Sequence, residues 1–488
     1  MSAPSPRVLV EGVAVSPDHL IGGERVTSPA TFEDRSPLDW SWKLADIARG
    51  DASTAHAAVT AAQVAFRDWA QLGPARRAEY LHRLAELIVE HTEAIALVET
   101  IDMAMLLASM RARLVARAAE NFRLYADLAA GHTERVWSSK GCRNTVVRMP
   151  AGPAVIITPW NAPFMLSTWK VAPALATGNT VILKPPEWAP LSCSLLADLT
   201  VEAGFPPGVF NLVQGIGEEV GPPLVGDPRI KRISFTGSPE TAREIGRLAA
   251  EHIVPFTAEL GGKGPLIVFA DADLDDAARR AAAQYDDSGQ VCLAGTRLLV
   301  EASIRDEFLA RFDAAVDRHV LGDSRDPATT IAPMIHPDHV ARVLGFVERA
   351  QAHGDRVLRG GRRVRNSLHI EPTLIEPASN DSEVVQREVF GPVLTLQTFR
   401  DEAQAIELAN STAYGLSAIV CTSSRERAER AGRAIRAGTV WVNTFLARDL
   451  TAPFGGIGIS GIGREGGDYA LDFHSDLKTL MVLDGTTS

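Results

Sequence analysis

The sequence predicts an α/β protein built on parallel sheets that helices cover on both faces. In the middle of the chain, short apolar runs typical of buried strands alternate with helix-like segments. Ligands bind such a sheet in the crevice at the carboxyl ends of its strands, and polar residues follow these runs directly. The strand-like runs are residues 154–158, 180–184, 209–213 and 232–236, and the helix-like segments include residues 162–176 and 191–203.

The flanking segments have patterns of their own. Up to about residue 50, Pro, Gly and Asp punctuate short strands and turns. Apolar residues recur at helical spacing over residues 53–131, which predicts helices, and the polar residues 132–150 are typical of a projecting hairpin. A second alternating block follows over residues 265–399, with a further strand at 438–442.

Length and composition restrict the class of protein. The chain has 488 residues, 46% hydrophobic and 22% charged, which is enough for two or three domains. The formal net charge of -11, with acidic and basic residues interspersed, argues against a nucleic-acid partner. No targeting segment and no apolar run of about 18 residues is visible, so we expect no membrane insertion.

The four cysteines are far apart and form no Cys-x-x-Cys pair. Neither a disulfide framework nor a zinc site is therefore expected, and no metal site is predicted. A reducing, cytoplasmic setting fits this pattern.

Cys292 is the candidate nucleophile. It stands among small and polar residues between Gly289 and Gly295, where the backbone can approach a ligand. The alternative is a small buried core residue, which is common for free cysteine. A second stretch ends an apolar strand with Glu259 beside two glycines. A thiol and a carboxylate on two glycine-marked turns suggest covalent chemistry followed by hydrolysis.

A nucleotide site is not announced by the usual Gly-x-Gly-x-x-Gly fingerprint. Gly237 and Ser238, followed by Pro239, instead have the pattern of a capped helix start. Backbone N–H groups there could hold a pyrophosphate, although a capped helix without a ligand is the commoner case.

Seven short motifs follow one another along nearly the whole chain. They are Thr158-Pro159-Trp160-Asn161, Lys184-Pro185-Pro186-Glu187, Phe235-Thr236-Gly237-Ser238, Glu259-Leu260-Gly261-Gly262-Lys263, Gly289-Gln290-Val291-Cys292, Glu388-Val389-Phe390-Gly391-Pro392 and Pro453-Phe454-Gly455-Gly456. In order and spacing they resemble the NAD(P)-dependent aldehyde dehydrogenases.

The resemblance implies an aldehyde dehydrogenase-like α/β fold with three parts. The parts are a Rossmann-type parallel-sheet NAD-binding domain (1–130 and 150–258), an α/β catalytic domain (259–445) and a small β oligomerisation element (131–149 and 468–488). The C-terminal segment resembles the strand that pairs with the hairpin of a partner subunit, so we expect a homodimer or homotetramer.

It also implies catalytic roles. Cys292 attacks the aldehyde carbon to form a thiohemiacetal, and hydride transfer then leaves a thioester. The backbone N–H of Cys292 and the side-chain amide of Asn161 stabilise the oxyanion. Glu259 activates the water that hydrolyses the thioester, and burial could raise its pKa to suit. Glu465 and Lys170 match groups that relay protons, although both could equally be structural.

Further motif residues resemble cofactor contacts. Lys184 and Glu187 match residues that bind the adenosine ribose, and Glu388 matches the one that holds the nicotinamide ribose. A carboxylate at position 187 favours NAD over NADP, with NADP left open. The other residues expected to line this cleft are Trp160, Gly237, Ser238 and Phe390.

The substrate prediction rests on Arg448, which could bind a carboxylate in a bidentate manner. With Trp169 and the small Ala162, it makes the chain similar to the hydroxymuconic and carboxymethyl-hydroxymuconic semialdehyde dehydrogenases of aromatic catabolism. Pairing of Arg448 with Asp449 or another acid is the alternative. Asp286 and Asp287, just before the nucleophile loop, would disfavour an anionic substrate.

Other functions remain open at this point. Neutral aromatic or aliphatic aldehydes are the first alternative substrate class. Acyl transfer to coenzyme A is disfavoured by Glu259, because that reaction needs no activated water. A plain cysteine hydrolase is disfavoured because no histidine occupies a comparable motif. A non-catalytic binding protein on the same fold is disfavoured by the joint presence of Cys292, Asn161 and Glu259.

Overall fold

The N-terminal region joins three small strand pairs to a group of helices. The computed structural model describes residues 4–483. The region contains β1 (Val8–Val10), β2 (Val13–Val15), β3 (His19–Ile21), β4 (Glu24–Val26), β5 (Thr31–Arg35), β6 (Lys43–Ala48), α1 (Ala52–Gln71), α2 (Pro74–Glu90), α3 (Thr92–Met103), α4 (Leu107–Ser109) and α5 (Val115–Ala130). One π-helical turn, Met110–Leu114, leads into α5.

The first large sheet carries the central alternating block. Its elements, with the hairpin that precedes them, are β7 (Arg135–Ser139), β8 (Cys142–Pro150), β9 (Ala154–Ile157), α6 (Pro163–Ala176), β10 (Val181–Lys184), α7 (Leu191–Glu202), β11 (Phe210–Leu212), α8 (Gly217–Val225), β12 (Arg232–Thr236), α9 (Pro239–Glu251) and β13 (Phe256–Glu259). Strands β13-β12-β9-β10-β11 are parallel neighbours, and β3 and β4 extend the sheet at one edge. The expected parallel sheet is confirmed.

The second large sheet holds the later part of the chain. Its elements are β14 (Pro265–Val268), α10 (Leu274–Ala282), β15 (Arg297–Glu301), α11 (Arg305–Val316), α12 (Pro337–His353), β16 (Arg356–Arg359), β17 (Thr373–Glu376), α13 (Glu383–Gln386), β18 (Val393–Phe399), α14 (Glu402–Ala409), β19 (Ser417–Cys421), α15 (Arg425–Ala434) and β20 (Thr439–Val442). The strand order is β16-β17-β18-β15-β14-β19-β20, parallel except between β16 and β17.

The last segment of the chain returns to the first sheet and to the hairpin of β7 and β8. It contains β21 (Gly461–Ile462), α16 (Gly467–Phe473) and β22 (Ser475–Leu483). β21 joins the first sheet beside β13, and β22 pairs antiparallel with β8 of the same chain. The expectation that this strand pairs with a partner's hairpin is therefore wrong. The hairpin lies only a short loop before β9, so the chain closes its own three-stranded sheet.

The predicted domain limits stay a prediction, and residues 484–488 of the third part lie outside the described residues. Over residues 4–483, no helix is long and apolar enough to cross a membrane.

Candidate active site

Cys292 lies in the loop between a short kinked helical segment and β15. The backbone before it is left-handed at Asp287 (φ 53°) and at Gly289 (φ 65°). A Cβ on Gly289 would lie 2.3 Å from the carbonyl oxygen of Gly391, so a side chain does not fit there. This close approach fixes the path of the nucleophile loop.

Asn161 reaches the same loop from the turn between β9 and α6. Its Nδ2 donates a 2.9 Å hydrogen bond to the carbonyl oxygen of Gln290, two residues before Cys292. A carboxamide carries two N–H donors, so one remains for a developing oxyanion. The structure thus brings Asn161 and the nucleophile loop together.

Glu259 is the last residue of β13 and is buried. Neither carboxylate oxygen has a hydrogen-bond partner among the described residues. Burial raises the pKa of Glu259 well above its ordinary value, and the charge of Glu465 raises it further against the opposing effects of Lys170 and Arg448. A carboxylate in this state is a stronger base than a solvated one.

Lys170 and Glu465 form a buried ion pair behind Glu259. Trp169 Nε1 donates to Glu465 Oε2 at 2.6 Å, and Lys170 Nζ donates to Ser234 Oγ at 3.0 Å. Lys170 and Trp169 project from α6, while Glu465 follows β21. Residues almost 300 positions apart thereby become neighbours, as the proton-relay interpretation requires.

The Cys292 thiol is protonated in this resting arrangement. Burial raises its pKa to about 12, and Glu388 and Glu259 act in the same direction. Arg448 and the backbone N–H of Cys292 oppose them. Arg448 thus supplies a positive charge near the thiol, but it does not by itself make a thiolate at neutral pH.

The predicted adenosine contacts form a separate subsite at the carboxyl end of β10. Lys184 Nζ and Glu187 Oε2 lie 2.8 Å apart. Burial works to raise the pKa of Glu187, but the Lys184 ammonium outweighs it and the pKa is lowered. Ser238 caps α9 by accepting a 3.1 Å hydrogen bond from Thr241 N, which confirms the predicted helix start. An ionised carboxylate beside an ammonium suits a ribose diol.

Glu388 lies close enough to the thiol to raise the pKa of Cys292. Its Oε1 accepts a 2.8 Å hydrogen bond from Gly262 N, and a Cβ on Gly261 would lie 1.9 Å from its Oε2. The two glycines therefore let the carboxylate lie against the backbone. Trp160 and Phe390 stack edge to face with ring centroids 5.3 Å apart. Carboxylate acceptors, an ammonium donor and an aromatic wall are groups that fit a dinucleotide.

Arg448 is half-buried and lies between two aromatic rings. Its guanidinium carbon lies 3.7 Å from the ring centroid of Phe454 and 4.8 Å from that of Trp169. Nη2 is buried without a hydrogen-bond partner in the described part of the chain. Asp449 instead accepts hydrogen bonds from Thr451 N and Oγ1 at 2.8 and 2.7 Å. Pairing of Arg448 with its neighbour is therefore excluded.

A second arginine with buried N–H groups that lack partners among the described residues, Arg117, was not predicted from the sequence. Arg117 of α5 lies 5.6 Å from the ring of Trp169, and its Nε and Nη2 are buried without partners within residues 4–483. Burial and then Arg448 lower its pKa to about 10. The sequence places Arg117 beside the buried face of a predicted helix. The residue four positions earlier, which lies next to it on a helix, is Arg113 and not an acid that could pair with it.

Two of the remaining residues bear on the shape and charge of the substrate pocket. Ala162 is buried at the start of α6, and its side chain is small. Asp286 is exposed and lines a cavity with Asp287 and Arg113. Solvent and the Arg113 charge therefore screen it, which weakens the repulsion of anions expected from the sequence.

Comparison with known proteins gives one family. Residues 26–480 match the aldehyde dehydrogenase family. The chain is 39% identical to a 2-aminomuconic semialdehyde dehydrogenase of Danio rerio, over 95% of this chain and 98% of that one. It is 38% identical to a 2-hydroxymuconic semialdehyde dehydrogenase of Pseudomonas sp. (strain CF600), over 95% and 99%.

A solved structure adds the fold. An indole-3-acetaldehyde dehydrogenase in complex with NAD+ superimposes with a TM-score of 0.93 at 37% identity, covering 96% of this chain and 97% of that chain. The expected α/β fold and enzyme class are confirmed. By its sequence match, its fold and its relatives, the chain belongs to the aldehyde dehydrogenase family.

Proposed function

We propose that the protein oxidises an aldehyde bearing a distal carboxylate to the corresponding acid, with NAD as the hydride acceptor. One observation carries the substrate class. Arg117 and Arg448 flank Trp169, and both hold buried guanidinium N–H groups without partners in residues 4–483. Support also comes from relatives that are named for muconic semialdehydes.

Energetics favour an anionic group between these arginines. A buried cation without a counter-ion is costly. Removing one partner of a buried ion pair typically destabilises a protein by about 3–5 kcal/mol, because the other charge is left unpaired. Guanidinium N–H groups match a carboxylate in a bidentate arrangement. A neutral aldehyde would leave both arginines unpaired. A purely binding protein would not need Cys292, Asn161 and Glu259 around one pocket.

The proposed reaction begins at sulfur. Cys292 loses its thiol proton to solvent water, and the resulting thiolate attacks the aldehyde carbon. Asn161 Nδ2 and the backbone N–H of Cys292 receive the oxyanion. Bound NAD supplies the acceptor for the hydride that leaves this carbon. Glu259 then takes a proton from a water molecule as its oxygen attacks the thioester, and the C–S bond breaks to release the acid. Glu465, which is held by Lys170, receives the proton from Glu259.

Charge at Glu187 supports NAD over NADP. The pKa of Glu187 is lowered, so the carboxylate stays ionised near neutral pH. An ionised carboxylate accepts hydrogen bonds from a ribose 2′-hydroxyl and repels a 2′-phosphate. NADP is the weaker alternative.

Replacing Arg448 tests the substrate class. Arg448→Met keeps the apolar stem and removes the charge. We expect kcat/KM for carboxylate-bearing aldehydes to fall about 10- to 100-fold, since a hydrogen bond to a charged group contributes about 1.5–3 kcal/mol. NADH formation measured with matched aldehydes, with and without a distal carboxylate, gives the ratio; Arg117→Met should act in the same direction.

Arg425→Met, on the exposed surface of α15, serves as the control and should leave the ratio unchanged. If wild-type enzyme prefers neutral aldehydes and Arg448→Met does not alter that preference, the substrate proposal is wrong. The family assignment would stand in that case.

We also propose that the protein assembles as a homodimer or homotetramer through its three-stranded sheet. β22 exposes a row of apolar side chains, including Leu477, Leu480 and Met481, which are 51–65% exposed. Exposed apolar surface on an edge strand favours pairing with another chain, and a second copy presents the same strand.

Leu480→Asp should convert the oligomer to a smaller species by placing a charge in that surface. Light scattering coupled to size-exclusion chromatography measures the mass. Val64→Asp, an equally apolar and exposed site on α1, is the control. An unchanged mass for Leu480→Asp would exclude this sheet as the interface.

A cytoplasmic setting is the proposed location. It is supported by four cysteines that are all free, two of them buried. Such thiols persist in reducing compartments.

A further inference from the structure

The ammonium of Lys170 has more donors than the chain supplies with acceptors. Nζ donates to Ser234 Oγ and forms the ion pair with Glu465. An ammonium carries three N–H donors, so one is left over. The side chain is only 1% exposed, so bulk water does not reach it freely. A buried donor without a partner is costly.

A buried nitrogen without a partner in residues 4–483 lies at the end of α16, within electrostatic reach of Lys170. His474 is 2% exposed, and its Nδ1 is buried without a hydrogen-bond partner in the described chain. Burial, with Arg232 and Lys170, lowers the pKa of His474 to about 3. The ring is therefore neutral near pH 7 and can present one nitrogen as an acceptor.

A small cavity joins the two groups. It leaves about 10 Å³ for the centre of a water molecule, which is close to the least space that one water requires. Lys170, Glu465 and His474 all line it, together with Trp169 and Arg464. Apolar side chains form part of the wall, but Lys170, Glu465 and His474 place polar groups on it. These groups supply the two to four polar partners that a buried water needs.

We propose that one buried water bridges Lys170 Nζ and His474 Nδ1, which makes His474 a positioning residue for the Lys170–Glu465 pair. The water accepts the third N–H of Lys170 and donates to the imidazole. It thereby holds Lys170 in place against Glu465, beside Glu259. The catalytic consequence rests on the proposed role of Glu259 as the base in hydrolysis.

The sign of the effect follows from the charges around Glu259. Glu465 raises the pKa of Glu259 more than Lys170 lowers it. Loss of the water removes one of the three acceptors that hold Lys170, so Lys170 no longer holds the Glu465 carboxylate close to Glu259. The pKa of Glu259 then falls, and it becomes a weaker base. Arg232 and Arg464 are the other charged groups near His474.

His474→Phe and His474→Gln test the inference. The first removes the acceptor, and the second replaces it with an amide oxygen. For His474→Phe we expect thioester hydrolysis about tenfold slower in single turnover, with its acid limb moved to lower pH. The NADH burst should be unchanged. His474→Gln should recover most of the rate, which a merely structural role would not produce.

A high-resolution crystal structure of the wild-type enzyme tests the water directly. Density for one water within hydrogen-bond distance of Lys170 Nζ and His474 Nδ1 supports the inference. An empty cavity, or an unchanged acid limb in His474→Phe, overturns it. Unchanged hydrolysis in Glu259→Gln would instead refute the proposed base while leaving the water site to the crystal structure. These two failures are therefore distinguishable.

Discussion

Cys292→Ala is expected to lower kcat by at least about 10⁴-fold, because no other group near the pocket can form the covalent intermediate. Turnover with aldehyde and NAD, followed at the NADH absorbance, measures the loss. Binding of NAD should survive, since the proposed dinucleotide contacts at Lys184, Glu187 and Glu388 are unchanged. Substantial aldehyde oxidation by Cys292→Ala would contradict the covalent mechanism.

Alkylation of the same thiol has a predicted pH dependence. The pKa of Cys292 is raised to about 12, so the reactive thiolate is a small fraction below that pH. Inactivation of the cofactor-free enzyme by iodoacetamide should therefore accelerate about tenfold for each pH unit between 7 and 9.

Cys142→Ala is the matched control, because Cys142 is also free and partly exposed but lies at the start of β8 in the hairpin. This variant should be inactivated like the wild type. A rate that is flat between pH 7 and 9 would show that the thiol is already ionised in the folded enzyme.

The elements of the first sheet were predictable because their signals are local. The apolar runs at residues 154–158, 180–184, 209–213 and 232–236 became strands whose ends differ by at most one residue. The helix starting after Ser238 was readable from a cap and a proline. Alternation of strands and helices then left a parallel sheet as the consistent arrangement.

Pairing between distant segments was less predictable. The pattern of β22 is compatible with pairing to a hairpin of the same chain or of a partner, and only the three-dimensional path selects β8 of the same chain. The same limit applies to the ion pair of Lys170 and Glu465. The motifs suggested that they act together, but their common burial depends on the strand order of the first sheet.

The substrate pocket was the hardest part to predict because it depends on missing partners. Arg448 was identified from its position before the Pro453–Gly456 motif. Whether it pairs with Asp449 or is left for a ligand could be decided only from the side-chain geometry. Arg117 follows the exposed Arg111 and Arg113 of the preceding π-helical turn in the sequence. An unsatisfied buried donor is a property of the fold, so no local pattern distinguishes it from a surface residue.

Glu259→Gln separates the two halves of the proposed reaction. The amide has nearly the same shape but cannot accept the proton of the attacking water, so thioester hydrolysis should slow by about 10²- to 10⁴-fold. Formation of the thioester should not slow, because Glu259 raises the pKa of Cys292 and its removal favours the thiolate. The expected result is one rapid NADH per site followed by very slow turnover.

Stopped-flow absorbance measures the burst, and intact-protein mass spectrometry should show the accumulated acyl-enzyme on Cys292. Glu429→Gln, on the exposed surface of α15, is the control and should show wild-type steady-state turnover. If the burst itself is slowed as much as turnover, Glu259 acts before hydride transfer, and the proposal that it activates water is wrong. Because the two steps release different products, NADH and the acid, the variant assigns Glu259 to one half of the reaction by kinetics alone.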